Sequence, residues 1–358
     1  MHLRDLRALM PRGEEGEVLL KVLFIRASLL LFSIFILGGL SAEVVNAWVH
    51  WDGYRYVTIA KEGYTFDGGR NIVWYPLYPF LIHIAGMVLP SIEVAAITLS
   101  TILAFAAALV LYRLLRLDLS KKEATNAVWL MSIFPTAFFF QAGYTESLFL
   151  FLTAASILAF RKEHYILAAF LGALSALTRP TGVILATLFA AEAVFEGGQR
   201  LKKVLAACAV GLGTFAYLGI NWYYFADPFF FRSIYAAFQS QVMVAPWTGF
   251  LTQLEHLRYA DTWYGLWDML SYVVLFGSAP IIFWRIRKSY GLYTLLNCLL
   301  FVSWSFILST TRYVLVIFPL FALLGTIRSG AVRAFLGAIF LAGLFYYTTL
   351  FLQHQWAF

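Results

Sequence analysis

Charged residues are scarce in this chain, and their scarcity excludes a soluble globular protein. Asp, Glu, Lys and Arg make up 13% of the 358 residues, whereas a soluble domain has about 25%. Hydrophobic residues make up 61%, and the mean hydropathy is +0.78. The apolar runs are roughly 17 to 25 residues long, as in membrane-spanning helices, and are not the ten-residue alternating segments of a membrane barrel. The composition therefore predicts an all-α polytopic membrane protein.

Cysteines and metal-binding motifs are also few. Cys208 and Cys298 both lie within apolar runs, which indicates neither a disulfide framework nor a thiolate metal site. The sequence has no HExxH motif, no Cys/His cluster, no P-loop and no glycine fingerprint after a strand. It also lacks a DxD pair in its outer loop and a basic cluster on a soluble domain. We therefore expect no metal, no cofactor and no nucleic-acid partner.

Apolar runs separated by charged residues and turn signals predict about eleven spans within a single transmembrane domain, 1–358. Their approximate bounds are 20–42, 91–116, 125–141, 144–160, 164–178, 180–196, 204–225, 264–284, 291–309, 312–327 and 332–352. The first run is long enough to span a membrane, and acidic residues precede it. Both features argue against a cleaved signal peptide.

The basic residues predict an orientation. With the N-terminus in the cytoplasm, eighteen of the 26 Lys and Arg residues, including Arg4, Arg7 and Arg12, fall on the inner face. Seven fall on the outer face and one within the first span, in agreement with the positive-inside rule. The long segments 43–90 and 226–263 are then extracytoplasmic. They face the outside if the chain is prokaryotic, or the lumen of the endoplasmic reticulum if it is eukaryotic, where soluble nucleotide donors are not normally available.

The first outer segment is expected to contain helices that lie in the membrane interface. Trp48, Trp51, Tyr56 and Ile59 can share one side of a short helix. The later run YPLYPFLIHIAGMVLP is too short and too proline-bounded for a span. We interpret it as a second interfacial helix.

Acidic residues at a membrane surface are costly, so they are functional candidates. In WDGYRY, Asp52 stands at the start of a predicted helix, flanked by His50, Trp51 and Tyr54. It is either a general base or the N-cap of that helix, and its aromatic neighbours also suit an interfacial belt. The outer acidic set is Glu43, Asp52, Asp67, Glu146, Asp227 and Asp261.

Three further charged residues lie at the outer ends of predicted spans. Glu146 follows FPTAFFFQAGYT and either orients a substrate hydroxyl or caps the helix that begins near Tyr144. Arg179 in LTRPTG and Arg312 in STTRY stand on the outer face, against the positive-inside bias. Each either extends to the interface or supplies fixed charge for a lipid phosphate. We favour phosphate contact for at least one of them.

A metal-free transfer from a lipid-linked sugar fits these residues. A sugar hydroxyl that attacks an anomeric carbon must lose its proton, which requires one general base. A polyprenyl phosphate leaving group needs no proton, but its growing negative charge must be stabilised. A single displacement inverts the anomeric centre and uses no covalent nucleophile. Asp52, with Arg179 or Arg312 across a cleft, would satisfy this scheme.

Six segments between about residues 22 and 327 carry a family resemblance. In order, they are WDGYRYVTIAKEGY, WYPLYPFL, FPTAFFFQAGYTESLF, ALTRPTG, DPFFF with the later Trp247, and RYVLVIFPLF. Together they resemble the PIG-V family of mannosyltransferases, which includes the enzyme that adds the second mannose to glycosylphosphatidylinositol. This family belongs to the GT-C superfamily. The resemblance therefore implies a GT-C-like helix bundle with a catalytic acidic residue in its first outer loop.

The resemblance also implies roles for particular residues. Asp52 would be the base, Tyr144 and Glu146 would line the site, and Arg179 and Arg312 would belong to the donor end. The donor would be polyprenyl- or dolichyl-phosphate-mannose. The full predicted substrate-binding set is His50, Trp51, Tyr75, Tyr144, Glu146, Arg179, Arg312 and Tyr313.

The predicted function is an inverting transfer of mannose, or another hexose, to a lipid or glycan acceptor on the extracytoplasmic face. Because its outer loops leave no room for the large soluble domain of some GT-C enzymes, the acceptor stays open among a glycolipid, a cell-wall polymer and a protein. The need for a partner subunit also stays open. The alternative is a multi-span transporter or lipid flippase, which commonly shows two related halves or broken helices near the midplane. We find no persuasive repeat of that kind.

Overall fold

The computed structural model describes residues 13–239, 241–259, 262–305 and 309–356. Within these ranges the regular structure is helical, apart from an isolated β-bridge between Met243 and Trp304. The predictions above also named residues outside the described ranges, namely Arg4, Arg7, Arg12 and Asp261.

The helices differ widely in length along the chain. The α-helices are Glu14–Ile36, Ala42–Ala47, Asp52–Glu62, Leu77–Gly86, Ile92–Leu115, Lys121–Ser132, Glu146–Arg161, Tyr165–Ala176, Ile184–Phe195, Arg200–Phe225, Phe230–Gln239, Pro246–Tyr259, Thr262–Arg285, Lys288–Val302, Thr310–Val314, Phe318–Gly325 and Gly330–Leu352. Three 3-10 helices cover Phe66–Val73, Ala137–Phe140 and Pro180–Val183. The first outer segment is therefore built from short helices, but Trp48 and Trp51 lie between two of them and do not share one helix with Tyr56 and Ile59.

Five helices in the described part of the chain are long and apolar enough to cross a membrane. They are Glu14–Ile36, Ile92–Leu115, Arg200–Phe225, Leu266–Arg285 and Gly330–Leu352. This confirms the all-α polytopic class and indicates an integral membrane protein. The count of about eleven spans stays a prediction, because the other predicted spans are shorter or broken helices.

The span predicted at 312–327 is broken in the structure. It divides into the helices Thr310–Val314 and Phe318–Gly325, and Pro319 lies in the first turn of the second helix. Proline has no backbone N–H to donate, so it is tolerated at a helix start but not in the interior. The break leaves Arg312 on a short helix of its own instead of on a continuous span.

The first outer segment is fastened to the long helix Ile92–Leu115. Tyr78 from WYPLYP is fully buried, and its hydroxyl lies 2.8 Å from Oγ of Ser100. Tyr56 packs edge-on against the ring of Tyr78, with centroids 5.2 Å apart. These contacts fix helix Asp52–Glu62 relative to the bundle, because Tyr56 lies on its inner side.

Helix Glu146–Arg161 has a charged residue at each end. At its C-terminal end, Nη1 of Arg161 lies 2.9 Å from Oδ2 of Asp118. Arg287 joins this cluster, with Nη1 3.4 Å from Asp118 and Nε 2.5 Å from Oε1 of Glu192. The cluster therefore ties several helix ends together on the side of the bundle opposite Glu146.

Candidate active site

A cavity of about 960 Å³ opens between the first outer segment, the turn that carries Arg179, helix Phe230–Gln239 and helix Thr310–Val314. The structure places Tyr144 and Glu146 behind its wall, because both are fully buried. Seven of the nine predicted site residues line the cavity, namely His50, Trp51, Asp52, Tyr75, Arg179, Arg312 and Tyr313.

A continuous network of ion pairs connects the cavity with the buried interior. Nη1 of Arg312 lies 2.5 Å from Oδ2 of Asp52, and its Nε lies 2.5 Å from Oε1 of Glu146. Nη1 of Arg179 donates to the same oxygen of Glu146 at 2.9 Å. Both guanidinium groups are buried, whereas 33% of the Asp52 side chain is exposed. Asp52 is therefore the most exposed of the three network residues that line the cavity.

Local geometry presents Asp52 to the cavity. Asp52 is the first residue of its helix, and Trp51 holds the N-cap position, so Asp52 is not the N-cap residue. Trp51 has a φ of +56°, in the region that favours glycine. A Cβ on Gly53 would lie 3.1 Å from the ring of Tyr144 and 3.2 Å from the carbonyl oxygen of Gly143. The backbone that follows the carboxylate is thus held close to the Tyr144 turn.

Glu146 occupies an equivalent place in its own helix. It is the first residue after the N-cap Thr145, and the N-terminal end of a helix dipole favours negative charge. Its Oε1 accepts hydrogen bonds from both arginines, whereas its Oε2 is buried and has no hydrogen-bond partner among the described residues. Glu146 thus anchors Arg179 and Arg312 from behind the cavity wall.

The turn that carries Arg179 depends on a close backbone approach. Arg179 has an extended backbone and precedes the 3-10 helix Pro180–Val183. A Cβ on Gly182 would lie 2.4 Å from the carbonyl carbon and oxygen of Ser175 and from the backbone nitrogen of Ala176. Only glycine fits there without a shift of the main chain. The LTRPTG segment therefore folds back tightly and points the Arg179 side chain towards Glu146.

Aromatic rings cover both arginines. The guanidinium carbon of Arg312 lies 4.7 Å from the ring centroid of Tyr144 and 5.0 Å from that of Phe139. The guanidinium carbon of Arg179 lies 5.2 Å from the ring centroid of Tyr313. Cation–π contacts of this kind stabilise a charge that has lost its water. Tyr144 and Tyr313, both predicted as site residues, therefore contact the network directly.

His50 connects the site to the last described helix. Its Nε2 lies 2.5 Å from the carbonyl oxygen of Phe351, and its ring stacks on Phe351 and on His354 at 4.4 and 4.1 Å. The hydroxyl of Tyr144 donates to the carbonyl oxygen of His50 at 2.9 Å. Burial lowers the pKa of His50 below its ordinary value. The imidazole therefore joins two parts of the chain as well as lining the cavity.

Trp51 and Tyr75 form aromatic parts of the cavity wall. Trp51 meets Trp356 edge-on, with ring centroids 5.5 Å apart. Tyr75 stacks on Tyr217 with centroids 4.0 Å apart, and it is nearly buried. Broad aromatic surfaces of this type suit the apolar faces of sugar rings and polyprenyl chains.

Sequence reasoning missed several residues that line the cavity. They are Arg55, Arg70, Trp74, Tyr235, Phe238, Trp304 and Trp356. Two of them, Arg55 and Arg70, could have been found from their charge. They are basic residues in a segment predicted to be extracytoplasmic, where basic residues are rare. The aromatic residues had no such signal, because aromatic side chains are common throughout this sequence.

No group of three or more His, Cys, Asp or Glu side chains in the described ranges is arranged to hold a metal ion. Asp67 and Asp227, two of the outer acids, have other contacts. Asp67 lies 3.5 Å from Arg55, and Oδ1 of Asp227 accepts from the backbone N–H of Phe229. The metal-independence of the reaction stays a prediction.

Comparison with known proteins places the chain in a family. The family model for Mannosyltransferase (PIG-V) matches residues 21–225, more than half of the chain. The chain belongs to the PIG-V family. This match includes Asp52, Glu146 and Arg179, whereas Arg312 lies beyond it.

Curated relatives match shorter parts of this PIG-V chain. GPI mannosyltransferase 2 of Drosophila pseudoobscura pseudoobscura is 32% identical over 113 residues, which cover 28% of this chain and 25% of that protein. GPI mannosyltransferase 2 of Schizosaccharomyces pombe is 26% identical over 152 residues, which cover 41% of this chain and 32% of that protein. The matched segments thus span about a quarter to a third of the length of these relatives.

A solved structure has a similar fold. The crystal structure of ArnT from Cupriavidus metallidurans bound to undecaprenyl phosphate matches with a TM-score of 0.57 and 12% identity. The match covers 90% of this chain and 62% of that one. The predicted GT-C-like bundle is confirmed at the level of the fold.

Proposed function

We propose that this protein is a glycosyltransferase that moves mannose from a polyprenyl- or dolichyl-phosphate donor to a lipid or glycan acceptor. One observation carries the proposal. Asp52 is the partly exposed carboxylate of a largely buried network, and it lies at the wall of a cavity of about 960 Å³. A single carboxylate in this position has the geometry required of a general base.

The chemistry follows from this placement. A hydroxyl of the acceptor attacks the anomeric carbon of the donor sugar and gives its proton to Asp52. The bond between the anomeric carbon and the phosphate oxygen breaks, and its electron pair leaves with the polyprenyl phosphate. Because the nucleophile and the leaving group lie on opposite faces of the sugar, the anomeric centre is inverted. No covalent intermediate with the protein forms.

Arg312 prepares the carboxylate for this role. It binds Oδ2 of Asp52, and Oδ1 has no hydrogen-bond partner in the described part of the chain. The carboxylate is therefore fixed in orientation while one oxygen stays available to the acceptor hydroxyl. Such preorganisation lowers the reorganisation needed during reaction.

The predicted contact of Arg179 or Arg312 with the donor phosphate remains a proposal. Both guanidinium groups bind carboxylates in this structure, so a phosphate must join or displace a carboxylate to reach either of them. Both side chains are nearly buried. Their first role in the proposed reaction is to hold the carboxylates in place.

The relatives and the fold support the choice of substrates. The curated relatives are mannosyltransferases by name, and the solved neighbour was crystallised with undecaprenyl phosphate. We propose a lipid-linked donor, a metal-independent reaction and an active site on the extracytoplasmic face, with the N-terminus in the cytoplasm. The proposal does not name the particular lipid or glycan acceptor or any partner subunit.

The test is transfer of label from radiolabelled polyprenyl-phosphate-mannose by the purified protein in its native lipid extract. Asp52→Asn keeps the shape of the side chain but removes the base, so we expect its rate to fall by about 10²–10⁴-fold. Glu43→Gln is the matched control, because Glu43 is an exposed acid in the same outer segment. Wild-type turnover in Asp52→Asn would remove Asp52 from the role of base.

A further inference from the structure

One arginine of the cavity wall, Arg70, forms no ion pair with a carboxylate of the described residues. Arg179 and Arg312 bind the acids of the network, and Arg55 lies 3.5 Å from Asp67. For Arg70, no ion pair with a carboxylate is found among the described residues. The arginines that line the cavity are Arg55, Arg70, Arg179 and Arg312.

The buried network has as many carboxylates as guanidinium groups, so it offers no excess positive charge to a phosphate. Two carboxylates, Asp52 and Glu146, balance the guanidinium groups of Arg179 and Arg312. An anion that leaves water for a cavity needs a positive partner to offset its lost hydration. Arg70 supplies such a charge, because nothing on the described wall neutralises it.

Arg70 is held at the boundary between the two outer segments. The three residues before it, 67–69, have φ values of +54°, +72° and +83°, so the main chain turns sharply there. A Cβ on Gly69 would lie 2.4 Å from the ring of Phe225. The guanidinium carbon of Arg70 lies 4.4 Å from the ring centroid of Phe238. The ring covers one side of the guanidinium group, while its N–H groups remain available to an anion.

We propose that Arg70 binds the phosphate group of the lipid-linked donor and of the polyprenyl phosphate product. This inference rests on the proposed function, and it gives the phosphate a partner other than the buried arginines. Arg55 is a second contact on the same wall, since its bonds to Asp67 and Asn71 are both 3.5 Å long. A guanidinium group donates two parallel hydrogen bonds to a phosphate, which a single ammonium cannot do.

The proposed site also assists bond cleavage. The donor is a phosphodiester with about one negative charge, whereas the departing phosphomonoester carries about −1.5 to −2 near neutral pH. The fixed charge of Arg70 therefore interacts more strongly with the product state than with the donor. Such an interaction stabilises the charge that grows in the transition state.

Binding of undecaprenyl phosphate to the purified protein in detergent micelles tests the site without any requirement for turnover. We expect Arg70→Ala to weaken binding by about 10- to 100-fold, the effect of losing charge-assisted hydrogen bonds. Arg70→Lys keeps the charge and should recover part of the affinity. Arg232→Ala is the matched control, because Arg232 is exposed on the helix that carries Phe238 and does not line the cavity.

Three outcomes would overturn the assignment. Wild-type affinity for undecaprenyl phosphate in Arg70→Ala would place the phosphate elsewhere. Equal binding of undecaprenol, which has no phosphate, would show that the tail alone is recognised. Binding of inorganic phosphate as tight as that of the lipid would identify a site for free phosphate instead of a lipid headgroup.

The binding experiment separates this inference from the proposed function. Suppose that wild type binds undecaprenyl phosphate, that Arg70→Ala binds it more weakly, and that wild type transfers no sugar. This combination would support the proposed phosphate site and contradict the proposed transferase function. Transfer that persists with unchanged donor affinity in Arg70→Ala would contradict the site alone. Thermal unfolding of each variant checks the fold, and we expect Arg70→Ala to unfold like wild type because its side chain is exposed.

Discussion

Nη1 of Arg312 and Oδ2 of Asp52 lie 2.5 Å apart across 260 residues of sequence. The pair joins the first outer segment to a short helix near the end of the described chain. The proposed base is therefore oriented by a residue outside the part of the sequence that the family model matches. An active site built only from the matched region would lack this contact.

Glu146 should be essential to stability because it balances two buried arginines. Glu146→Gln keeps the volume of the side chain but leaves Arg179 and Arg312 with one carboxylate between them. Breaking a buried ion pair from one side costs about 3–5 kcal/mol. We expect a loss of this size in the free energy of unfolding, measured by denaturant titration in detergent micelles.

The control for that experiment is Glu17→Gln, the same substitution at an exposed site. Glu17 pairs with Lys21 one helical turn away, and half of its side chain is exposed. A pair of this kind contributes about 0.3–0.5 kcal/mol. Equal losses of unfolding free energy in Glu146→Gln and Glu17→Gln would show that the buried network does not stabilise the fold more than a surface ion pair does.

Asp268 should act as a positioning residue for Arg312. The backbone N–H of Thr310 donates to Oδ1 of Asp268 at 2.7 Å, and the hydroxyl of Thr310 lies 3.1 Å from that of Tyr272. Asp268→Ala leaves the buried N–H unpaired, which costs about 1–3 kcal/mol, and it loosens the short helix. We expect kcat for sugar transfer to fall about tenfold or more, with little change in undecaprenyl phosphate affinity.

The matched variant at this position is Asp268→Asn, whose side-chain oxygen can still accept from Thr310. Transfer in Asp268→Asn should therefore remain close to wild type. If the Asn and Ala variants lose activity equally, then the hydrogen bond to Thr310 is not what positions Arg312.

Gly182 should tolerate no side chain. A Cβ there would stand 2.4 Å from main-chain atoms of Ser175 and Ala176, and these cannot move as a flexible side chain does. We expect Gly182→Ala to destabilise the protein by about 1–3 kcal/mol and to reduce transfer by displacing Arg179. Thermal unfolding and transfer assays measure the two effects.

Gly219→Ala is the control for this close approach. Gly219 lies within helix Arg200–Phe225 and has nothing within 4 Å of the position of a Cβ. The free energy of unfolding of the Gly219→Ala variant should stay within about 1 kcal/mol of that of wild type. A comparable loss in both variants would point to a general intolerance of alanine and not to crowding at Gly182.

His50 should make the fold sensitive to acid. Burial lowers its pKa in the folded state, so the folded protein binds a proton less readily than the unfolded chain. Stability is then unaffected well above the ordinary histidine pKa of about 6.5 and is lost as the pH falls through it. Thermal unfolding of wild type between pH 8 and 5 should show this decrease.

His50→Gln provides the comparison, because glutamine does not titrate in this range and can still donate to the carbonyl oxygen of Phe351. We expect its unfolding temperature to fall less between pH 8 and 5 than that of wild type. Parallel curves for the two proteins would assign the acid sensitivity to groups other than His50.

The sequence was sufficient to predict the helical membrane class and the residues of the network, but not how they pair. The sequence placed four charged residues on the extracytoplasmic side because they stand at the outer ends of predicted spans or in the first outer segment. They are Asp52, Glu146, Arg179 and Arg312. Their direct bonds were not predictable, since hydropathy and charge asymmetry locate residues along the membrane normal and say nothing about which helices are neighbours.

Broken helices were the main departure of the structure from the sequence-based spans. The run predicted as a span at 125–141 is the helix Lys121–Ser132, followed after Pro135 by the 3-10 helix Ala137–Phe140. The apolar run continues through the proline, so a hydropathy window does not register the change in direction. The turn of Arg70 escaped prediction for a similar reason, because its shape depends on positive φ values and on a contact with Phe225.

Helix Glu146–Arg161 has the buried acid Glu146 at one end and the ion pair of Arg161 with Asp118 at the other. At about 1.5 Å of rise per residue, these two ends lie about 22 Å apart. The hydrocarbon layer of a bilayer is about 30 Å thick. Most side chains of this helix are buried in the bundle, so packed protein and not lipid surrounds the buried acid Glu146 within the thickness of that layer. The network that holds Asp52 is thus shielded from acyl chains by neighbouring helices, and a lipid-linked substrate of the proposed reaction would reach Asp52 through the cavity.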